Sequence, residues 1–334
     1  MSLKTPIPLL SVLSVSVALS LIGKIAMASQ SENSTETDEH KMIIVSGEAY
    51  VGAHHDSNVN VSELDTNTDT SDSAIKGNAK LKVAIMPTDK WQITTSAQHS
   101  ETRYNELSDF DLAITTLSGE ASYQSSWAKI GIHHYYANAD LDNNAFLTYQ
   151  QSGVSLANSA FNQGYWRISV DTIDKSFESV PERDAKALSS RIDGFWFFEN
   201  HSFIQLGAKY QHEDALAQAF DYTSHGIDAS YTYPANLWGK ALDIKLGYEM
   251  ESRHYGKGSQ SSEATASGGP FSEFEQQESG RREDNRHVFK ASIEYAVMEN
   301  VDFIVSTQYK DYGSTLVSAD YQETLAEIGV RFHF

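Results

Sequence analysis

The sequence predicts an all-β fold, a closed antiparallel barrel of about fourteen strands. Three observations predict it. Period-two alternation runs from Met42 to the end of the chain, connections alternate between long and short, and the last residues are themselves a strand. A terminus ordinarily frays and turns polar. Here "EIGVRFHF" closes the chain with Ile328, Val330, Phe332 and Phe334 on one face and Glu327, Gly329, Arg331 and His333 on the other. An apolar face on a terminal strand requires either a partner surface or an apolar solvent.

Residues 1–28 read as a cleaved signal peptide: Lys4, an apolar run from Ile7 to Ile22, and Ala26-Met27-Ala28 as a small-x-small cleavage site. The run is short for a membrane span and no basic cluster follows it, which favours export over anchoring. Residues 29–41 form a polar acidic leader too poor in apolar residues to fold alone. Residues 42–334 have one texture, without a linker or a long helical stretch, and are assigned to the barrel. The chain has no cysteine, which excludes a lipid-anchoring cysteine, a disulfide framework and a thiolate metal site. Its formal charge of −20 argues against nucleic acid as a partner.

The alternation is clearest in "NAKLKVAIM", where Ala79, Leu81, Val83 and Ile85 share one face and Lys80 and Lys82 the other, and it recurs in "ALDIKLGYEM", "VFKASIEYAV" and "VDFIVSTQY". Read this way, strands centre near Gly47, Lys82, Thr95, Gly119, Ile132, Gln151, Ser169, Asp193, Gly207, Ala229, Leu246, Ser292, Val305 and Ile328. Strands of roughly nine to eleven residues are expected, and an even count returns the last strand beside the first.

Connection lengths supply a separate test. "DSNVNVSELDTNTDTSDSA", "RYNELSDFD", "TIDKSFESVPERD", "HEDALAQAFD", "YGKGSQSSEATASGGPFSEFEQQESG" and "DYGSTLVSAD" are long; "PTDK", "ENHS", "YPANLW" and "MEN" are short. Such segregation gives one rim of tight turns and one of long loops. Trp91, Trp127, Trp166, Trp196 and Trp238 fall near the short turns, while Tyr104, Tyr135, Tyr210, Tyr222, Tyr255 and Tyr312 gather toward the long loops. An amphipathic aromatic girdle at each membrane interface is therefore expected.

Export, an apolar outer face and closure together predict a transmembrane β-barrel in the outer membrane of a Gram-negative cell, with short periplasmic turns and long extracellular loops. The polar row then faces the lumen: Glu48, Lys80, Lys82, Lys129, Arg167, Arg191, Asp193, Lys209, Asp243, Lys245, Lys290, Glu294, Glu327 and Arg331, with Glu120, Asp171 and Asp228 beside them. Such a wall can pass polar solutes and tune which charges enter, or its charges can pair and fill the lumen.

The terminal "EIGVRFHF" resembles the C-terminal signature of bacterial outer-membrane proteins. That resemblance implies recognition by the barrel-insertion machinery through the strand ending in Phe334, with outer-membrane lipid as the surrounding partner. The segments "EAYVGAHHDSNVN", "DYTSHGIDASYTYP" and "RREDNRHVFKASIEYAVMENVDFIVSTQYKDYGSTLVSADYQETLAEIGVRFHF" resemble the barrel region of surface lipoprotein assembly modifiers, which implies a fourteen-stranded barrel. That family carries a helical repeat domain before its barrel, whereas residues 29–41 are far shorter than one repeat of about 34 residues.

No enzyme is expected. The chain has no G-x-S-x-G elbow and no H-E-x-x-H, and the adjacent pairs His54-His55 and His133-His134 point to opposite faces of their strands. No cofactor, catalytic group or metal site is assigned. "DTNTDTSD" opens with calcium-loop spacing at Asp65, Asn67, Asp69 and Ser71, then departs from it at Thr70 and Lys76, which reads as a solvated acidic loop. Asp56, Glu63, Asp65, Asp69 and Asp72 in and beside that loop predict a negative entrance and mild cation preference. The expected function is a passive porin-like channel for small polar solutes. The alternatives are a surface lipoprotein or protein translocation barrel, with an unspecified protein client, and a structural or adhesive surface protein with a plugged lumen.

Overall fold

The computed structural model describes residues 42–160, 163–256 and 281–334. The expected signal peptide (1–28) and leader (29–41), and most of the longest connection (257–280), lie outside the described residues. Fourteen long strands form one closed antiparallel barrel. They are β1 (Met42–Asp56), β4 (Asp72–Thr88), β5 (Trp91–Tyr104), β6 (Leu112–Gln124), β7 (Lys129–Leu141), β8 (Asn144–Ala160), β9 (Gly164–Phe177), β10 (Ala185–Phe197), β11 (Phe203–Ala215), β12 (Tyr222–Leu237), β13 (Lys240–Tyr255), β14 (Glu283–Met298), β15 (Val301–Ser314) and β16 (Tyr321–His333). A separate two-stranded hairpin, β2 (Asn60–Val61) and β3 (Thr66–Asn67), lies in the first long connection. No α-helix occurs among the described residues.

Each expected strand centre lies in its own barrel strand. Closure is made by β16, which pairs with β15 on one side and β1 on the other, with Gly52 opposite Gly329. The last residue is part of the seam: the Phe334 N–H donates to the Gly47 carbonyl at 3.0 Å, and the Gly47 N–H donates to the Phe334 carbonyl at 3.1 Å. The chain ends on an amphipathic strand because that strand satisfies two neighbours' backbone groups at once.

The strands run longer than expected. Thr172 to Phe177 complete β9 and His212 to Ala215 complete β11, although both segments read as connection. Backbone pairing continues wherever two strands stay in register, whatever the outward side chains. Toward the long-loop rim those outward side chains turn polar, as at His99, Glu101 and Arg103 or Thr172 and Asp174. On that rim one connection is short: Asp142 and Asn143, with φ of 49° and 58°, make a two-residue hairpin between β7 and β8. Both residue types tolerate the left-handed region that a type I′ turn requires.

Around the middle of the barrel the outer surface is apolar, with Ile75, Ile132, Val154, Leu206, Ile227, Leu246 and Ile328 all exposed, Ile132 to 61%. Trp91, Trp166 and Trp196 point outward beside the short turns, and Trp127 and Trp238 sit in those turns. The inner face is polar. This is the reverse of a water-soluble barrel, whose apolar side chains would fill its centre.

Candidate conduit: the lumen and the loop across its mouth

Strand parity decides which side chains meet inside. Glu48 stands opposite Lys80 on the inner face, and Lys80 and Lys82 line the main cavity. Arg167 faces Asp193 across β9 and β10, and Arg191 faces Lys209 across β10 and β11. On the far wall Asp243 is opposite Glu294, Lys245 donates to Glu294 at 2.5 Å, and Lys290 meets Glu249 at 2.6 Å. Arg331 bridges Glu294 at 2.6 Å and Asp302 at 2.8 Å. Glu327 accepts from Lys76 at 3.0 Å, and Lys129 donates to the Gln92 side-chain oxygen at 3.0 Å. Glu120, Asp171 and Asp228 lie on the same face, paired with Arg167, His133 and Arg191.

Several of these pairs span three strands, and two of them pass over a glycine. Arg191 on β10 reaches Asp228 on β12 at 2.7 Å over Gly207 of β11, and His133 on β7 meets Asp171 on β9 over Gly153 of β8. A Cβ at Gly207 would collide with both Arg191 and Asp228, and one at Gly153 with both Asp171 and His133. The missing side chain on the central strand leaves the room in which its neighbours bond.

The first long connection does not stand out as a solvated loop. After Asp56 the chain folds inward: Val59 is wholly buried, β2 and β3 pair, and a single 3-10 turn at Ser62–Leu64 leads to Asp65 in the left-handed region at φ 53°. Val61 and Leu64 pack on the apolar cluster of Phe146, Phe177 and Ala139 in the opposing wall. The Asp65 carboxylate receives a bidentate bond from Arg282, at 2.7 and 2.9 Å, and one from Arg183 at 2.8 Å. Arg282 in turn holds Asp284 at 2.7 Å, and Asp284 also accepts from Tyr255 and Ser314. Arg183 donates as well to the Glu63 carbonyl, and Asn67 to the Ser318 carbonyl at 2.7 Å. The loop leaves the wall at β1 and is fastened to the β9–β10 connection, the start of β14 and the β15–β16 connection. It therefore crosses the mouth.

Burial alone would raise the Asp65 carboxyl, but hydrogen bonds from Arg282 and the charges of Arg282 and Arg183 outweigh it and hold the group at about 2. The calcium-like spacing thus serves other ends. Asp65 binds two guanidinium groups, Asn67 binds a carbonyl, and no group of carboxylates and histidines fit for a metal occurs among the described residues.

Most acids of the expected negative entrance are built into the loops. Glu63 lies 3.6 Å from Lys175, Asp56 accepts from the Asn58 N–H and the Tyr104 hydroxyl, and Asp72 accepts from the N–H groups of Glu106 and Leu107. These carboxylates are committed to holding loops. The tyrosine girdle at this rim is corrected for the same reason. Tyr210 faces outward, but the hydroxyls of Tyr104, Tyr222 and Tyr255 serve Asp56, Glu213 and Asp284 inside, Tyr312 lies under Arg286, and Tyr135 lines the cavity. Buried carboxylates need donors more than the interface needs rings.

Beneath the loop lies a cavity of about 900 Å³, whose upper wall, at Ile114, Ala139 and Leu147, is shared with the loop's apolar contact. A second space of about 470 Å³ shares Arg191 and Lys209 with it. Between the loop and the wall at Lys175, Arg183 and Tyr222 only about 30 Å³ remains, room for little more than water. Sequence reading missed Arg183, Arg282 and Lys175 as partners of the loop, because separations of 118 and 217 residues carry no local signal.

No protein-family model matches the chain, and no curated protein matches it. The likeness to surface lipoprotein assembly modifiers therefore stays a resemblance of strand texture. Solved structures of similar shape are bacterial outer-membrane proteins. An anion-selective porin from Comamonas acidovorans matches at 6% identity over 88% of this chain and 100% of its own, with a TM-score of 0.48. OmpT, an outer membrane protein of Vibrio cholerae, matches at 8% over 91% and 100%, TM-score 0.48. CdiB from Acinetobacter baumannii matches at 11% over 87% and 60%, TM-score 0.47. At these identities and scores the likeness carries no argument about activity; the fold rests on the chain's own strand pairing.

Proposed function

We propose that the chain is an outer-membrane conduit for small polar solutes, with the loop at 57–71 as a latched cover on its extracellular side. The observation that carries this reading is the inversion of the barrel's faces: apolar side chains outside, ion pairs and a cavity of about 900 Å³ inside. Lipid is the solvent that suits such an outer face, and a charged lumen is of use to a polar solute. Insertion would proceed through the terminal strand ending in Phe334. The test is single-channel conductance of the refolded chain beginning at Ser29, with unheated and boiled samples compared on a gel to report the folded barrel. A tag within 258–269 should be reachable on intact cells and one in 87–90 should not; the opposite labelling would reverse the orientation.

A second reading, a structural or adhesive surface barrel with a plugged lumen, is favoured by the latch itself. It predicts no conductance even when the latch is removed, whereas the conduit reading predicts that removal opens the pore.

A further inference from the structure

Ionisable groups of both signs line the two interior spaces, but their pairing is unequal. Each carboxylate of the larger cavity has a partner: Glu120 with Arg167 at 3.6 Å, Asp193 with Arg191 at 2.7 Å, and Asp171 with His133 and the Ser169 hydroxyl. In the smaller space Asp228, Glu249 and Glu251 are taken by Arg191, Lys290 and Arg253. Lys80, Lys82 and Lys209 line the larger cavity and make no ion pair among the described residues. Glu48, opposite Lys80 in register, neither pairs with it nor lines the cavity. A chain with a formal charge of −20 thus keeps a local surplus of positive charge at its centre. The surrounding wall is rich in hydroxyls. Ser96 stands opposite Lys82 in register and bonds Ser118 at 2.7 Å, with Thr94 beside them on the cavity surface.

We infer that this cavity is a binding station for small hydroxylated oxyanions, carboxylates or phosphates of about sugar size, received by Lys80 and Lys82 on β4 and Lys209 on β11. The inference rests on the conduit reading and names its solute class. Ammonium groups without counter-ions attract an oxyanion at no cost in broken ion pairs, and the adjoining hydroxyls give and accept bonds with the hydroxyls of the solute. The volume suits the purpose, since small-molecule sites commonly occupy roughly 300–1,000 Å³. Two of the loop's acids, Glu63 and Asp65, are neutralised by Lys175, Arg183 and Arg282, which lessens their opposition to entry.

The experiment is a zero-current potential of the refolded barrel in a planar bilayer across a potassium chloride gradient. Chloride should be preferred over potassium by about threefold at low salt, where fields reach about 10 Å or more. The K80Q/K82Q/K209Q variant should lose that preference, with unchanged heat-dependent gel mobility showing that it folds. Gluconate and inorganic phosphate, used separately as probes, should reduce chloride current in the parent and not in the variant. Block by one probe only assigns the carboxylate or the phosphate class. Potassium preference in the parent, or equal block in the variant, overturns the inference and leaves the conduit standing. Absence of conductance in both the parent and Asp65→Ala overturns the conduit reading. In that case saturation transfer from the detergent-solubilised barrel to gluconate decides the site by itself: a signal lost in the triple variant upholds it, and no signal in the parent ends it.

Discussion

The outer mouth and the cavity below it are built from the same residue types and obey different rules. At the mouth Asp65, Arg282 and Asp284 are almost completely buried and bound to one another in ion pairs, whereas in the cavity Lys80, Lys82 and Lys209 form no ion pair among the described residues. The difference is water. A charge taken out of solvent must be paired and hydrogen-bonded, and removing one partner leaves a stranded ion. A charge facing a wet lumen keeps its hydration and tolerates having no partner, so it remains available to a solute. The mouth therefore holds the loop by paired charge, and under the proposed conduit reading the cavity would supply the selectivity.

The largest expected effect comes from breaking the matched region. Asp65→Ala leaves Arg183 without its carboxylate and Arg282 with Asp284 alone, and removing one partner from a buried ion pair commonly costs about 3–5 kcal/mol. The barrel should still form, since its strand ladder does not involve Asp65, but the loop should leave the mouth. Single-channel conductance should rise at least severalfold while gel mobility stays heat-dependent. Unchanged conductance in a folded variant would mean that the loop is not the cover.

Acid should weaken the same latch, and the sign follows from the depressed carboxyl. Asp65 lies at about 2 against an ordinary 3.8, so its contribution is fully present above the ordinary value and is lost as pH falls toward 2. The shift corresponds to about 2 kcal/mol. Conductance should therefore stay flat from pH 7 to about 5 and climb only below about pH 4. A climb centred near pH 6 would point to a histidine instead.

The barrel was legible in the sequence because a period of two records which solvent each side chain meets. Lys80 and Lys82 alternating with Leu81 and Val83 could be assigned to opposite faces without any coordinates. The loop was not legible. Asp65, Asn67 and Asp69 have the composition of a solvated turn, and what draws them inward is a pair of arginines far along the chain, together with an apolar foot of only Val61 and Leu64. The tyrosines misled for a related reason. A ring near a rim looks the same in sequence whether its hydroxyl serves headgroups outside or a carboxylate inside.

A smaller effect is expected from the apolar foot. Leu64→Ala removes part of the contact with Phe146 and Phe177 but leaves the ion pairs, for a loss of about 1–2 kcal/mol given that the residue is only partly buried. Open-state occupancy should rise, by less than in Asp65→Ala. Because the two sites lie on one loop, the double variant should show less than the sum of the two effects. An effect equal to that of Asp65→Ala would mean that apolar packing, and not charge matching, holds the mouth.

The smallest change tests the wet region's tolerance. At Gly207 a Cβ would meet the ends of Arg191 and Asp228, both flexible side chains open to the lumen, so Gly207→Ala should push them apart without moving backbone. Alanine also favours an extended strand over glycine by about 0.5–1 kcal/mol, which offsets the steric cost. Arg191 retains Asp193 at 2.7 Å, so no ion is stranded and the lumen's net charge is unchanged. The expected outcome is an unaltered temperature of gel-mobility shift and a zero-current potential within about twofold in permeability ratio of the parent. If instead Gly207→Ala prevented folding, the three-strand ion pair would belong with the latch among the structural charges, and the boundary between matched mouth and open cavity would lie deeper in the barrel.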